Sequence, residues 1–163
     1  EAKQMYQKAD FIPDANRTLR FTYGFIRGYA PADATYHLPF TTVSGIADKT
    51  TGTEPFDTPK RLLDLFKTKD FGLFKHKRLN DLPVAMLYNT DTTGGNSGSP
   101  VLNARGELVG LNFDRTFEGT ITDYAWSEAY SRSIGVDVRY VLWVTSKFGG
   151  ADHLLQEMNV PLQ

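Results

Sequence analysis

The sequence predicts a mainly β protein with helical trimmings and a helix near its C-terminus. Three observations carry that expectation. Runs rich in aromatic and β-branched residues, punctuated by Gly and Pro, fill much of the first part of the chain. A turn at Asn103–Gly106 separates two apolar runs in the form of a β-hairpin. Helical spacing of apolar residues is confined to short stretches, chiefly toward the ends. Strands first and a terminal helix last suggest a β-barrel with helical trimmings.

In chain order, Glu1 to Ala9 reads as a short helix stopped by "FIPDAN". "TLRFTYGFIRGYA" (Thr18–Ala30) and "TYHLPFTTVSG" (Thr35–Gly45) read as strands, and "ADKTTGTEPFD" as a polar loop. Thr58 is placed to cap a helix with Pro59 in its first turn, along which Leu62, Leu63 and Phe66 make an apolar stripe. "LPVAMLYNT" (Leu82–Thr90) is an apolar run short enough for a buried strand. In the hairpin, Val109, Leu111 and Phe113 share one face at period two. Asp137 can cap a helix through "VRYVLWVTSKF", closed by Gly149, and "ADHLLQEM" reads as another short helix.

Composition narrows the classes. A chain of 163 residues holds one domain with a sizeable core and is too short for two full barrels. With 40% hydrophobic and 23% charged residues it is ordinary for a globular protein. A net charge of −1 gives no cue for a nucleic-acid or anionic-membrane partner. No apolar run approaches membrane-spanning length, and no repeat is visible. Without cysteine there is no disulfide, thiolate metal site or Cys nucleophile. The start "EAKQMYQKAD" lacks an initiator Met and a signal segment, which suggests a removed leader or a piece of something longer.

The chemistry concentrates in "DTTGGNSGSPVLNARGELVGLNFDRTFEG", Asp91 to Gly119. A Gly/Ser cluster is usually only a tight turn, because Gly accepts positive φ and Ser bonds nearby backbone. Folding the hairpin about Ala104–Arg105 sets Ser97 opposite Asn112 and Gly95 opposite Asp114. The Gly-flanked serine then meets the acid and base Asp114 and Arg115, which a chance turn has no reason to do. A serine nucleophile needs backbone N–H groups aimed at a developing oxyanion, and Gly95 and Ser97 are spaced for that. The elbow G-x-S-x-G is not met, since Ser99 takes its last glycine position. No Lys follows the glycines, so a phosphate loop is also excluded.

"GGNSGSP" resembles the active-serine motif of the chymotrypsin-like peptidases. The longer run "NTDTTGGNSGSPVLNARGELVGLNFDR" and the tail "VDVRYVLWVTSKFGGADHLLQEM" are similar to one branch of them, with "PDANRTLRFTYG" and "PFTT" extending the likeness through nearly the whole chain. That branch is the bacterial dipeptidyl-peptidases of serine peptidase family forty-six, Gram-negative exopeptidases that remove dipeptides from a free N-terminus. The resemblance implies a six-stranded, chymotrypsin-like antiparallel β-barrel with a C-terminal helix, one half of a double barrel. Residues 1–163 would be the C-terminal half of the catalytic domain. The catalytic His and Asp would lie in an N-terminal half before Glu1, with a helical domain between the halves.

On the same resemblance Ser97 is the nucleophile, and the N–H groups of Gly95 and Ser97 hold the oxyanion. Asp114 anchors the substrate's α-amine. An extended chain covers about 3.3–3.6 Å per residue, so a carboxylate roughly 7 Å from the scissile carbon measures off two residues. The next position is Gly in members preferring hydrophobic residues and Arg in those preferring Asp or Glu, so Arg115 implies the acidic-specific type. Implied partners are a peptide with a free N-terminus and the N-terminal half of the same polypeptide, with room for a homodimer of the intact enzyme. No cofactor, metal, nucleic acid or membrane is implied, and the compartment would be the periplasm or cell surface. Alone, the chain would lack a base and stay inactive.

Successive strand residues face opposite ways, so Asp114 and Arg115 line one pocket only if the backbone is irregular there. Two rivals stand beside this reading: a glutamate-specific endopeptidase of the same clan, and a non-catalytic peptide-binding barrel. The single histidines His37, His76 and His153 read as structural or solvated, and Lys75, Lys77 and Arg78 as a solvated loop. Phe117, Trp126, Tyr140 and Trp143 read as packing residues, and Asn96 as orienting the serine loop. "NTDTTGGN" fits no calcium-loop spacing, and Asn16-Arg17-Thr18 matches a glycosylation sequon.

Overall fold

Pro39 divides the second aromatic-rich run, because it has no N–H to give a ladder. In the computed structural model, which describes residues 19–162, strand β2 (Thr35–His37) stops before it and β3 (Phe40–Thr42) starts after it. The helix expected over Glu1–Ala9 and the sequon at Asn16 lie outside the described residues. β1 (Tyr29–Ala32) pairs with β2 as a two-stranded antiparallel hairpin. The remaining strands are β4 (Pro83–Tyr88), β5 (Pro100–Leu102), β6 (Leu108–Arg115) and β7 (Ser133–Asp137). They join β3 in a five-stranded antiparallel sheet of order β3-β4-β7-β6-β5.

The fold is therefore mainly β and antiparallel with helices at the C-terminal end, as predicted, and among the described residues seven strands lie in two sheets where a single six-stranded barrel was expected. An Ile26–Tyr88 bridge, with Arg27 N–H donating to Leu87 O at 3.1 Å, stitches the small hairpin to β4. Of the strand expected over Thr18–Ala30, the described residues show the Ile26 bridge and the start of β1, and Leu19, Phe21, Tyr23 and Phe25 before them stay exposed.

Helix α1 (Val43–Lys49) takes over where a strand was expected to continue, setting Val43 and Ile46 against the core. Helix α2 (Lys60–Thr68) follows Pro59, and its Phe66 is buried as the apolar stripe predicts. Thr58 does not cap it; its hydroxyl bonds that of Thr50 at 2.8 Å. Helix α3 (Val138–Trp143) is capped by Asp137, which accepts from Arg139 N–H at 2.9 Å. A π-helical turn over Val144–Phe148 leads to α4 (Asp152–Glu157). Val43, Phe66, Phe71, Phe74, Leu82, Trp143 and Leu155 form the core between these helices and one end of the sheet. Of the aromatic residues expected to pack, Trp143 is in that core, with Tyr140 against it, whereas Phe117 is 86% exposed.

The hairpin's apolar alternation is present, but it does not mark the buried face. Val109, Leu111 and Phe113 do share a face, but it is the half-open one, with Phe113 49% exposed. The buried face holds Gly110 and Asn112 with Met86, Tyr88, Ser133, Gly135 and Asp137. Space decides this. A Cβ on Gly110 would overlap Met86 Cε and sit 2.6 Å from Val136 O, and one on Gly135 would lie 2.9 Å from Tyr88 OH. Small residues on β6 and β7 admit the large side chains of β4.

Gly110→Ala is therefore expected to destabilise the fold by about 1–3 kcal/mol, as overpacking does. Urea unfolding would read it as a lower midpoint at unchanged slope. An unchanged midpoint would mean that the sheet opens freely enough to admit the methyl group.

Candidate active site around Ser97

The loop from Asp91 to Ser99 connects β4 to β5 and is clipped to β6 by one residue. Gly98 N–H donates to Asn112 O at 2.7 Å, and Asn112 N–H donates to Ser99 O at 2.9 Å. Tyr88 OH holds the Asn112 side chain from below, donating to Oδ1 at 2.6 Å. Within the loop Asn96 N–H donates to Thr93 O at 3.2 Å, and Thr93 N–H donates back to Asn96 Oδ1 at 2.8 Å. Asn96 thus orients the loop, as its position suggested. Gly95 (φ +98°) and Gly98 (φ +87°) occupy left-handed backbone that a side chain would strain.

This pattern engages the N–H groups of Asn96, Gly98 and Ser99. Among the described residues, those of Gly95 and Ser97 donate no hydrogen bond, and both residues are exposed. Two spare donors flanking one engaged donor can be offered to an anionic oxygen. Ser97 Oγ donates a long bond, 3.3 Å, to Phe113 O. Its neighbour is Phe113 rather than Asn112, because Pro100 pairs with Leu111 and not with Val109 as the assumed turn centre required. The turn is centred on Arg105, with Asn103 N–H donating to Glu107 O, which accounts for one residue of the slip, and an irregularity between Val101 and Leu102 accounts for the other. The approach of Ser97 to the Asp114–Arg115 segment survives it.

The irregular backbone needed on β6 is present. Asn112 pairs with Gly135, but Asp114 pairs with Ile134, leaving Phe113 as the extra residue of a bulge. That insertion reverses the facing of everything after it, so Arg115, opposite Ser133, shares the buried face of Asn112. Asp114 takes the other face, is exposed, and accepts Arg115 N–H at 2.8 Å. The bulge therefore turns Arg115 inward without setting both side chains on one face.

Arg115 already has a carboxylate. Its Nη1 and Nη2 donate to the two oxygens of Asp123 at 2.8 and 2.7 Å, and Thr93 Oγ1 adds a third bond to Asp123 Oδ1 at 2.8 Å. Arg115 and then Thr93 hold the Asp123 carboxyl down at about 2, and Asp123 raises the guanidinium in turn. Burial first, and then the charge of Asp123, push the Asp91 carboxyl upward. Asp123 ends the 3-10 turn Glu118–Asp123, which folds it back over β6. Sequence reasoning missed this residue, since an eight-residue separation through an irregular turn leaves no periodic trace.

None of the histidines is hydrogen-bonded to Ser97. His37 stacks on Tyr29 at 5.1 Å, and His153 is exposed on α4. His76 lies 5.6 Å from the Phe40 ring and accepts Leu79 N–H at 3.2 Å; burial holds its imidazole below the usual range. Lys75, Lys77 and Arg78 are exposed around it. Among the described residues no group of three or more His, Cys, Asp or Glu could hold a metal ion.

The sequence profile of the family described as Peptidase S46 matches residues 1–160. An Asp/Glu-specific dipeptidyl-peptidase of Flavobacterium psychrophilum is 46% identical over 158 residues, 96% of this chain and 22% of that protein. One of Porphyromonas gingivalis is 49% identical over 152 residues, 93% of this chain and 21% of its own. The crystal structure of Porphyromonas endodontalis DPP11 in complex with the dipeptide Arg-Asp superposes with a TM-score of 0.87 at 39% identity, covering 99% of this chain and 23% of that one. The chain spans about a fifth of the length of these relatives.

Proposed function

The chain belongs to the peptidase S46 family, and on that premise we propose that it is the nucleophile-bearing part of a serine dipeptidyl-peptidase that cuts after Asp or Glu. The observation that carries the reading is the pair of N–H groups at Gly95 and Ser97, unengaged among the described residues, on either side of the Asn96 N–H that is tied to Thr93 O. Ser97 Oγ attacks the carbonyl after the second substrate residue. A histidine from an N-terminal half of the same polypeptide, oriented by an aspartate there, takes the Oγ proton and returns it to the leaving amine. The Gly95 and Ser97 N–H groups stabilise the tetrahedral oxyanion throughout. Asp114 pairs with the substrate's α-ammonium, and Arg115 with the acidic side chain before the cut.

This division of labour makes residues 1–163 the C-terminal half of the catalytic domain, with a helical domain separating it from the other half. The assembled enzyme works on peptides in the periplasm or at the cell surface of a Gram-negative cell, with a homodimer as its assembly.

Dye release by the full-length polypeptide tests the reading. Free-amine dipeptides ending in Asp or Glu are expected to be cleaved, their N-blocked counterparts left intact, and a Leu-ending dipeptide cleaved far more slowly. Turnover of the blocked substrates would instead identify a glutamate-specific endopeptidase. Cleavage of the Leu substrate alone would overturn the role given to Arg115. This chain by itself, with no described base bonded to Ser97, is expected to leave all of them uncut.

A further inference from the structure

We propose that Asp123 is a positioning residue for acidic substrates: it clamps Arg115 end-on, so that the guanidinium's Nε–Nη2 edge is presented to the substrate carboxylate. The proposal rests on the reading of Arg115 given above. A guanidinium carries five N–H donors in a planar fork and can bind carboxylates along more than one edge. Asp123 takes one donor from each of Nη1 and Nη2. Among the described residues, Arg115 Nε has no acceptor. The Nε–H and the second Nη2 hydrogen point the same way and form a second two-pronged site. The clamped arginine is therefore not used up by its internal partner.

Two further observations give the clamp its purpose. Asp114 and Asp91 also lie close enough to act on the Arg115 charge. Without Asp123, the long arginine side chain could fold onto Asp114, engaging at once the acid-reading donors and the carboxylate meant for the α-ammonium. Asp123 keeps those two apart. It is itself held by Thr93 Oγ1, whose backbone N–H is bonded to Asn96 Oδ1, next to Ser97. The guanidinium is thereby placed relative to the loop that carries the nucleophile. An acidic side chain must be gripped while its own carbonyl sits on Ser97, so the two sites need a common frame.

The test is steady-state kinetics of the full-length polypeptide on Asp- and Glu-ending dipeptides. Labelling of Ser97 by an uncharged fluorophosphonate reports the nucleophile without using Arg115. Asp123→Ala is expected to raise KM for acidic substrates by roughly tenfold or more, with kcat within about threefold and the labelling rate unchanged. Asp123→Asn, which keeps one acceptor oxygen, should fall between. A lowered KM would show that Asp123 competes with the substrate for the fork, and equal losses of turnover and labelling would show a merely structural role. Either would overturn the proposal. Arg115→Gly run in parallel separates the two readings. If it leaves acid preference intact, the role of Arg115 falls and this proposal with it. If it abolishes the preference while Asp123→Ala leaves KM unmoved, this proposal alone fails.

Discussion

Ser97→Ala is expected to lower kcat of the full-length polypeptide about a million-fold on Asp- and Glu-ending dipeptides, with KM little changed. Removing the nucleophile of a serine peptidase costs as much as removing the whole catalytic group, because the members act as one unit. The substitution removes a single oxygen from an exposed residue, whose hydroxyl makes among the described residues one bond, 3.3 Å long, to Phe113 O. The clips through Gly98, Ser99 and Asn112 are backbone bonds that alanine leaves in place. Lost turnover with an unchanged unfolding midpoint would therefore be chemistry rather than stability. Turnover within tenfold of the parent would return Ser97 to the status of a residue in a tight turn.

Arg115→Gly carries the second large effect, a loss of about a hundredfold or more in kcat/KM on acid-ending dipeptides. The change does more than delete a cation. Asp123 loses the partner that bonds both its oxygens and keeps only Thr93, while Asp91 and Asp114 stay nearby. Three carboxylates with no guanidinium among them repel an acidic side chain, so preference should pass to apolar residues before the cut. The Asp123 carboxyl should rise from about 2 toward its ordinary value, which NMR titration would detect. Because that carboxyl is depressed by folding, the pair's contribution is present above the unfolded value and is lost as pH falls toward about 2. Acid preference persisting in Arg115→Gly would place the reading of the substrate's charge elsewhere.

What the sequence made legible was local. Asp137 caps α3 because an acceptor before "VRYV" has one natural use, and the turn at Asn103–Gly106 follows from its own residues. The meeting of the serine loop with Asp114 and Arg115 followed from hairpin closure alone. What stayed hidden depends on partners distant in the chain. β7, "SIGVD", looks like a weak strand because Ser133 and Gly135 are small to suit Tyr88, a residue 45 positions or more away. Which face of β6 is buried was hidden for the same reason: the apolar alternation is real, but Met86 and Tyr88 fill the opposite face. α1 begins with Val and contains Gly, so propensity argues against it and only its packing on the core explains it. The bulge at Phe113 and the return of Asp123 to Arg115 are tertiary facts without a local pattern.

The clipped serine loop also has a consequence in time. The amides of Gly98 and Asn112 are bonded into β6 and its partner segment, so they open only when that part of the sheet opens. The amides of Gly95 and Ser97 donate no hydrogen bond among the described residues, and both residues are exposed. On the proposed mechanism an arriving carbonyl breaks no bond within the protein and only displaces solvent from donors already in place. The slow event on binding is then the departure of water, and the backbone is as ready before the substrate arrives as after it has left.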